Sequence, residues 1–514
     1  MNGAQSLIHT LVDSGVTACF ANPGTSEMHF VKALDDVPEM RGVLALFEGV
    51  ATGAADGYGR MADHPAATLL HLGSGLANGS ANLHNARRAA TPMVNIVGDH
   101  ATFHKRFDAP LDSDIEASAG TTAGWLCTSA RPEDVARDAA EAVAAAFGPP
   151  GRIATLILPA DVSWSDATGP AAPVAPTARA GVDDARLANV AAILASGEPT
   201  AVLVGGTVTR ERGLIAASRV AQATGAKLLG ETFPARIERG AGRPDLERLA
   251  YLAEFIEMQL SGVRHLVLVD TRSPVSFFAY PGKPSWCAPD GLQFSTLAHA
   301  HEDGAGALAA LADALGAPAS SPVRVPLQLP GLPTGSLNAM SVAQVIAELT
   351  PEGAILAEEA ATSGLPLLMT MSRARPHTHL PLTGGSIGDG LPMALGAALA
   401  APDRKVICPH GDGGAAYTVQ ALWSMVRENL DITVVIYANR SYAILNIELQ
   451  RVGALGAGPK ALSMLDLHNP EMNWVKIAEG FGMPASRATT AEEFVAQYAD
   501  AMKHKGPRLI EAMI

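Results

Sequence analysis

Short runs of apolar, mostly β-branched residues alternate with alanine-rich stretches along the whole chain. Within each run the residues are apolar at successive positions, so both faces of the corresponding strand would be buried. Buried strands separated by helices are typical of parallel sheets that helices cover on both sides. The pattern therefore predicts an α/β protein, with strands at Ala67–His71, Met93–Val97, Ile153–Leu158, Thr200–Val204, His265–Val269, Lys405–Cys408 and Ile432–Tyr437.

Two stretches interrupt this alternation. The first runs from Asp166 to about Val182 and is rich in Ala, Pro and Thr, and the second, from Ala317 to about Leu337, contains five prolines. Such compositions are typical of linkers. We therefore expect three α/β domains, at residues 1–165, 183–316 and 338–514, and the length of 514 residues favours the same number.

The charge balance narrows the choice of partners. The chain has 37 basic and 51 acidic side chains, which gives a net charge of −14. It lacks the basic surface that nucleic acid or an anionic membrane requires, so we expect neither as a partner and favour a small metabolite. We see no signal peptide and no apolar run long enough to span a membrane, and we expect a cytoplasmic protein.

The strongest chemical signal is the glycine-rich turn at Gly411–Gly414, between the predicted strand Lys405–Cys408 and a helix that we expect to begin near Tyr417. Such a turn directs backbone N–H groups at an anion, and Asp412 adds an oxygen ligand for a divalent cation. The next predicted strand brings Asn439 to the same edge of the sheet. The pattern favours a diphosphate bridged by Mg²⁺, although a Gly-Asp-Gly sequence alone is often only a tight turn.

The twenty-nine residues from Gly411 to Asn439 resemble the diphosphate-binding motif of the thiamine diphosphate (ThDP) enzymes. That motif opens with Gly-Asp-Gly and closes with two asparagines, of which the first is Ala438 here. The resemblance implies that Asp412 and Asn439 bind Mg²⁺ through their side chains and Ser441 through its backbone carbonyl. It also implies further cofactor contacts at Gly411, Gly413, Gly414 and Tyr442.

A second match lies near the N-terminus, within Leu46–Arg60. Glu48 opens a helix rich in Gly and Ala, and its position resembles that of the glutamate that activates the cofactor in ThDP enzymes. A carboxyl group in an apolar site there can exchange a proton with N1′ of the aminopyrimidine, which leads to loss of the thiazolium C2 proton. Glu48 alone could equally be a glutamate favoured by the helix dipole, but the Gly411–Asn439 segment favours the functional interpretation.

Two residues resemble the substrate-binding residues of benzoylformate decarboxylases. The segment Asn22–Glu27 is similar to their Asn-Pro-Gly turn, in which the next hydroxyl residue, Thr25 here, meets the substrate carboxylate. His71 stands where these decarboxylases carry a catalytic histidine that can relay a proton. The plainer alternatives are a Pro-Gly turn and a structural histidine at a strand end.

The segment Gly384–Gly390 resembles the loop that holds the cofactor in its bent form. Ile387 matches the large apolar residue under the bend, and the Gly385 carbonyl would accept a hydrogen bond from the 4′-amino group. A loop similar to the first diphosphate loop of the family offers two hydroxyl donors, Thr362 and Ser363.

The chain also departs from both subfamilies that it resembles. Benzoylformate decarboxylases have a second active-site histidine where this chain reads Ser276–Tyr280, and acetolactate synthases have an Arg-Phe-Asp-Asp-Arg run near the position of Val269–Arg272. The polar segment Arg106–Asp112 and Glu448 would either favour a polar substrate or form solvated surface. The turn Val204–Gly206 lacks the third glycine of a dinucleotide site, so we do not expect FAD.

The resemblance implies three doubly wound α/β domains: a pyrimidine-binding domain, a middle domain and a diphosphate-binding domain. It implies decarboxylation of a 2-oxo acid through an enamine, with ThDP and Mg²⁺ as cofactors, to give an aldehyde or a carboligation product. An acetolactate synthase-like carboligase shares every step as far as the enamine and remains an alternative, as does a non-catalytic ThDP-binding homologue. In this family the two halves of a site come from different subunits, so we expect a homodimer or homotetramer.

Overall fold

Three sheets form the framework of the computed structural model, which describes residues 1–319 and 323–514. Helices connect most consecutive strands and pack on the sheets, which confirms the α/β prediction. Between Trp164 and Asp184 the structure has neither helix nor strand. Of the second predicted linker, residues 320–322 lie outside the described residues.

The first sheet is entirely parallel, with the strand order β2-β1-β3-β4-β6-β5. Its strands are β1 (Ala18–Asn22), β2 (Arg41–Leu44), β3 (Ala66–Leu70), β4 (Met93–Asp99), β5 (Trp125–Thr128) and β6 (Ile153–Pro159). The helices of this segment are α1 (Gly3–Asp13), α2 (Met28–Ala33), α3 (Glu48–Ala62), α4 (Leu72–Ala89), α5 (Ile115–Ala119), α6 (Val135–Phe147) and α7 (Ala160–Trp164).

The middle segment contributes strands to two sheets. Its strands are β7 (Thr200–Val204), β8 (Lys227–Gly230), β9 (Ile237–Arg239), β10 (Glu247–Arg248), β11 (His265–Val269) and β12 (Gln293–Ala298). Five of them form a parallel sheet in the order β10-β8-β7-β11-β12, whereas β9 leaves to join the third sheet. The helices are α8 (Asp184–Ala195), α9 (Glu211–Thr224), α10 (Ala253–Gln259) and α11 (Gly304–Ala314).

The third sheet has the order β17-β18-β16-β15-β13-β14-β9 and is parallel except at β9, which pairs antiparallel with β14. Its remaining strands are β13 (Ile355–Glu358), β14 (His377–Pro381), β15 (Val406–Gly411), β16 (Ile432–Ala438), β17 (Ala485–Ala488) and β18 (Arg508–Met513). The helices are α12 (Ala339–Leu349), α13 (Leu365–Met371), α14 (Gly390–Ala400), α15 (Asp412–Ala415), α16 (Ala421–Arg427), α17 (Ala443–Arg451), α18 (Pro459–Leu462), α19 (Trp474–Gly480) and α20 (Ala491–Lys503).

Short 3₁₀ turns supplement these elements, and two of them carry predicted site residues. Their bounds are Thr25–Glu27, Lys105–Phe107, Gly206–Thr209, Ala361–Gly364, Ala416–Thr418 and Ser463–Leu465. The helix that we expected near Tyr417 begins earlier, because α15 starts at Asp412 itself. The acidic side chain at the first position favours this start, since it lies at the positive end of the helix dipole.

Helices α3 and α14 join the first and third sheets through a close contact between glycines and backbone. A Cβ atom at Gly57 would overlap Met393, and one at Gly396 would overlap the Ala54 carbonyl. Glycine therefore lets the two backbones approach each other, despite the lower helix propensity that it gives to α3. Both helices are almost entirely buried, so their register fixes the first sheet relative to the third.

A buried charged group reinforces the same junction. Arg60 on α3 pairs with Asp56 and lies 3.6 Å from Asp389, which precedes α14. Burial and the neighbouring Asp56 carboxylate raise the pKa of Asp389 well above its usual range. Burial thus favours the protonated form of Asp389, which lessens the repulsion between the two carboxyl groups at this junction.

No helix in the described part of the chain is long and apolar enough to cross a bilayer.

Candidate functional site

His71 and a buried glutamate form a hydrogen-bonded pair at the carboxyl edge of the first sheet. His71 follows β3, and its Nδ1 lies 2.8 Å from Oε2 of Glu27. Glu27 is 1% exposed, and its Oε2 also accepts a hydrogen bond from the Gly24 backbone N–H at 2.8 Å. Burial raises the pKa of Glu27 although the hydrogen bonds and His71 oppose this shift. The pair fixes the orientation of the imidazole ring and leaves Nε2 without a partner in the described residues.

Glu48 is the first residue of α3 and is buried, as the sequence predicted for its position. Its Oε2 accepts a hydrogen bond of 2.9 Å from the side-chain amide of Asn78 on α4. Its Oε1 faces Gly75, where a Cβ atom would lie 3.1 Å from Oε1 and 3.4 Å from the His71 Cβ. The structure therefore brings Glu48 and His71 close to the same glycine.

Thr25 begins the 3₁₀ turn beside this pair and is exposed. Its hydroxyl has no hydrogen-bond partner in residues 1–319 or 323–514. The preceding residue, Gly24, must lack a side chain, because a Cβ atom there would overlap the His71 ring. Thr25, His71 and Glu48 thus form one group, the N-terminal cluster.

In the third sheet, one buried carboxylate shapes the loop that precedes α14. Glu359 accepts hydrogen bonds from the backbone N–H groups of Gly388, Asp389 and Gly390, at 2.6, 2.8 and 2.6 Å. His410 Nε2 lies 3.4 Å from the same carboxylate, which raises the pKa of His410 although burial alone would lower it. These bonds hold the predicted cofactor loop, with Ile387 half-buried in it and Gly385 exposed.

The predicted metal ligands lie together where β15 and β16 end. Asp412 accepts hydrogen bonds from the backbone of Gly413 at 2.8 Å and of Arg440 at 2.7 Å. Asn439 Oδ1 accepts one from the Ser441 N–H at 3.0 Å. Burial raises the pKa of Asp412, although these N–H groups oppose the shift. The oxygen atoms of this group are of the kind that Mg²⁺ prefers.

Two neighbouring features fit a diphosphate beside these ligands. The ring of Tyr442 packs on Gly413, and a Cβ atom at this position would overlap the ring. Only glycine therefore fits at this position of the turn. Thr362 and Ser363 lie on the 3₁₀ turn after β13, and neither hydroxyl is hydrogen-bonded within the part of the chain that the structure describes. Unpaired donors beside an oxygen-rich metal site suit a phosphate ligand. The residues of this second group, the C-terminal cluster, are Thr362, Ser363, Gly385, Ile387, Gly411, Asp412, Gly413, Gly414, Asn439, Ser441 and Tyr442.

Two asparagine side chains on α4 connect the start of α3 with the predicted cofactor loop. The amide of Asn82 on α4 donates to the carbonyl of Gly49, next to Glu48, at 2.8 Å and to the carbonyl of Gly388 at 3.3 Å. Asn85 bonds the same loop through the Ser386 backbone. The helix that begins with Glu48 therefore shares a hydrogen-bonded contact with the predicted cofactor loop.

Sequence reasoning missed three residues that shape these clusters: Glu27, Asn78 and Glu359. Glu27 stood within the recognised turn, and Asn78 stood seven residues after His71, but neither spacing indicates a partner. Glu359 reaches a loop about thirty residues away through backbone bonds, which no side-chain motif reveals. A buried glutamate next to a glycine-rich turn is the one signal that could have pointed to it.

The polar segment 106–112 and Glu448, both noted in the sequence, belong to neither cluster. Asp112 of the polar segment 106–112 bonds Lys105 Nζ at 3.0 Å, and Lys105 also bonds Asp99 at 2.9 Å. Glu448 on α17 lies against the segment 276–280, in which Tyr280 bonds it. The substrate roles considered for these residues stay predictions.

Comparisons with known proteins show the family of the chain. A family model for the thiamine pyrophosphate enzyme N-terminal TPP binding domain matches residues 1–117, and one for the C-terminal TPP binding domain matches residues 366–512. The chain is 57% identical to the Mycobacterium tuberculosis protein named "Putative acetolactate synthase large subunit IlvX", over 100% of this chain and 99% of that protein. It is 28% identical to benzoylformate decarboxylase of Pseudomonas aeruginosa, over 97% of this chain and 96% of the relative.

The fold matches solved structures over the full chain. A thiamine diphosphate-dependent 4-hydroxybenzoylformate decarboxylase from Rhodococcus jostii RHA1 superposes with a TM-score of 0.88, at 23% identity, over 100% of this chain and 99% of the other. Benzoylformate decarboxylase from Polynucleobacter necessarius gives a TM-score of 0.85 at 23% identity. These two likenesses concern the fold.

Proposed function

Because the chain belongs to the thiamine pyrophosphate enzyme family, we propose that it decarboxylates a 2-oxo acid with ThDP and Mg²⁺ and releases an aldehyde or a carboligation product. The observation that carries this proposal is the placement of Glu48, which is buried at the start of α3 with one oxygen held by Asn78 and the other beside His71. Two curated relatives named for decarboxylation and for acetolactate synthesis support the reaction class.

Bound ThDP supplies an electron sink that stabilises the electron pair left behind when CO₂ departs. Glu48 exchanges a proton at Oε1 with the pyrimidine ring, and Asn78 keeps Oε2 fixed during this exchange. His71 accepts or donates a proton at Nε2, because Glu27 holds its Nδ1. The free hydroxyl of Thr25 binds the carboxylate of the 2-oxo acid beside them.

The C-terminal cluster holds the cofactor in this proposal. Asp412, Asn439 and the Ser441 carbonyl bind Mg²⁺, whose charge offsets that of the diphosphate. The Gly411–Gly414 turn and Tyr442 surround the diphosphate, with donors from Thr362 and Ser363. Gly385 accepts from the pyrimidine amino group and Ile387 supports the bend of the cofactor.

A carboligase of the acetolactate synthase type is the second candidate, and the 57% identical relative favours it. The two candidates differ only in whether a proton or a second carbonyl compound ends the reaction. A non-catalytic ThDP-binding homologue would have no need for a buried, hydrogen-bonded Glu48 beside His71, so this placement argues against it.

We propose further that two or four copies assemble and that the active sites lie where subunits meet. Large apolar side chains are exposed on both halves of the chain, near each cluster, and a second copy would cover them. On the first segment they include Phe103, Phe107 and Trp164, and on the third Leu365, Met369 and Tyr417.

The test combines cofactor binding with turnover. Apo-protein titrated with ThDP and Mg²⁺ should bind saturably, and Glu48→Gln should bind comparably while losing about 100-fold or more in kcat, because Gln cannot exchange the proton. Turnover is scored on benzoylformate, pyruvate, glyoxylate and branched 2-oxo acids, with CO₂ and coupled products measured separately. Absence of ThDP binding by the wild type would refute the function, and wild-type turnover by Glu48→Gln would refute the role of Glu48.

A further inference from the structure

Glu448 is held on both of its carboxylate oxygens by tyrosines from a distant part of the chain. The Tyr280 hydroxyl lies 2.8 Å from Oε2, and the Tyr251 hydroxyl lies 3.3 Å from Oε1. Burial, together with the Glu448 carboxylate, raises the pKa of both tyrosines, so they are neutral donors at physiological pH. We call these three residues the clasp.

An ion pair lies beside the clasp and joins the same two parts of the chain. Arg451, one turn after Glu448 on α17, donates to both carboxylate oxygens of Glu254 at 3.2 and 3.0 Å. Its guanidinium carbon lies 4.4 Å from the centre of the Tyr280 ring. Glu254 also pairs with Lys283. The Glu254 side chain is 38% exposed, so this ion pair contributes little to stability.

On its other side, the clasp continues into a group of aromatic rings that reaches the predicted cofactor loop. This aromatic cluster consists of Phe233, Tyr251, Phe277 and Phe278, with neighbouring ring centres 4.8 to 6.3 Å apart. Phe277 packs directly on Gly385, where a Cβ atom would overlap its ring. A continuous path of contacts therefore runs from α17 through the clasp to Gly385.

We propose that Glu448 is a positioning residue that clasps α17 to the aromatic cluster and so holds Phe277 against the cofactor loop. The inference rests on the proposed function, because it assigns the clasp a part in retaining ThDP. Helix α17 begins immediately after Tyr442, so the clasp ties the diphosphate end of the site to the pyrimidine end. Loss of the clasp frees both elements to move apart, and the bound cofactor is then held less tightly.

The geometry distinguishes positioning from direct acid or base chemistry at Glu448. Each oxygen accepts a tyrosine hydroxyl, so a proton taken by the carboxylate would weaken the clasp. A glutamine can replace the carboxylate, since its amide oxygen accepts from one tyrosine and its NH₂ group donates to the oxygen of the other. A positioning role therefore survives Glu448→Gln, whereas a role that needs the carboxylate does not.

The experiment measures the dissociation constant of ThDP in the presence of Mg²⁺ by titration calorimetry for the wild type, Glu448→Gln and Glu448→Ala. We expect Glu448→Gln to stay within about twofold of the wild type and Glu448→Ala to bind about tenfold more weakly, because two hydrogen bonds to the carboxylate are lost. Glu254→Gln is the matched control, since it removes a carboxylate from the same junction and leaves the clasp intact. We expect its affinity to stay within about twofold of the wild type.

The outcomes separate this inference from the proposed function. If the wild type does not bind ThDP, the proposed function fails. If the wild type binds and Glu448→Ala binds equally well, the clasp has no part in retaining the cofactor and the inference is wrong. It is also wrong if Glu448→Gln binds as weakly as Glu448→Ala. Should Glu448→Ala fail to fold, Tyr280→Phe and Tyr251→Phe replace it, and each should weaken binding by less than Glu448→Ala would.

Discussion

Two glycine turns in this protein look alike in the sequence and differ in what surrounds them. Gly205 and Gly206 follow β7 of the middle sheet, and the Gly411–Gly414 turn follows β15 of the third sheet. In the middle sheet the turn is already filled: the Gly206 N–H donates to Glu231 at 2.9 Å and the Thr207 N–H to Asp270 at 2.9 Å. In the third sheet the acidic residue, Asp412, lies within the turn.

The two turns therefore differ in where their carboxylates come from: the middle turn receives them from other strand ends, whereas Asp412 stands in the third-sheet turn itself. The middle turn lies where the strand order of its sheet reverses, between β7 and β11, which is the usual place for a nucleotide. There Glu231 and Asp270 take the place that a phosphate would occupy, and their charges would repel one. This arrangement supports the prediction that FAD does not bind. Beside the third-sheet turn, the Thr362 and Ser363 hydroxyls remain available within the described residues.

The middle carboxylates are held at a cost in backbone conformation and in desolvation. Asp270 adopts a φ of 53°, a conformation that disfavours residues other than glycine. Burial raises the pKa of Asp270, and it raises the pKa of Glu231 to about 7, although hydrogen bonds oppose both shifts. The middle turn therefore contains a carboxyl group, that of Glu231, that ionises near neutral pH.

The largest expected effect comes from removing the Asp412 carboxylate from the third-sheet turn. Asp412→Ala should weaken ThDP binding by about 100-fold or more, since even residues that only support metal ligands account for 10- to 100-fold in metal affinity. Titration calorimetry with Mg²⁺ measures the loss, and addition of EDTA to the wild type should reproduce it. Asp403→Ala, in the exposed turn before β15, is the control. Wild-type affinity in Asp412→Ala would show that the two turns do not differ as we describe.

A smaller effect is expected from removing the Glu231 carboxylate from the middle turn. Glu231→Ala leaves the Gly206 N–H and the Thr271 hydroxyl without their acceptor, so the free energy of unfolding should fall by about 1 to 3 kcal/mol. Urea denaturation followed by circular dichroism measures the change, with the exposed Asp290→Ala as the control. ThDP affinity should stay the same, and a loss of ThDP affinity equal to that of Asp412→Ala would contradict the separation of the two turns.

An effect of comparable size is a pH dependence that the filled turn adds to stability. The folded-state pKa of Glu231 is raised to about 7 from 4.5, so the folded protein binds more protons than the unfolded chain between these values. Stability from this group is therefore complete below pH 4.5 and is lost as the pH rises through 7, by up to about 3 kcal/mol. Glu231→Gln keeps an acceptor without the charge and should flatten this slope. The raised pKa of Asp270 leaves a residual slope of the same sign. An unchanged slope in Glu231→Gln would refute the assignment.

The sequence predicted the α/β class and the positions of Glu48, His71 and Asp412 because each depends on local features. Each of these residues stands at a strand end or helix start, and such positions follow from apolar runs and glycine spacing. The helix start predicted near Tyr417 was too late, because α15 begins at Asp412. Gly413 and Gly414 disfavour a helix, so the sequence did not indicate one there. The packing of Tyr442 and Glu359 on that turn outweighs this preference.

Strand β9 shows the same limit at a larger scale. It lies within the segment expected to form the middle domain, yet it pairs antiparallel with β14 of the third sheet. An edge strand of three residues cannot be predicted from an apolar run, because the stability of such a strand comes from its partner strand.

What the sequence determined by itself is the order of elements and the chemistry at their ends, because hydrophobic periodicity and glycine turns act over a few residues. Only the tertiary structure decided which side chains meet: Glu27 with His71, Asn78 with Glu48, and Tyr280 with Glu448, 168 positions apart. It also decided that carboxylates from other strand ends fill one glycine turn, whereas the carboxylate at the other turn is that of its own Asp412. Burial and hydrogen bonding between distant segments determine which side chains meet, and neither produces a periodic pattern in the sequence.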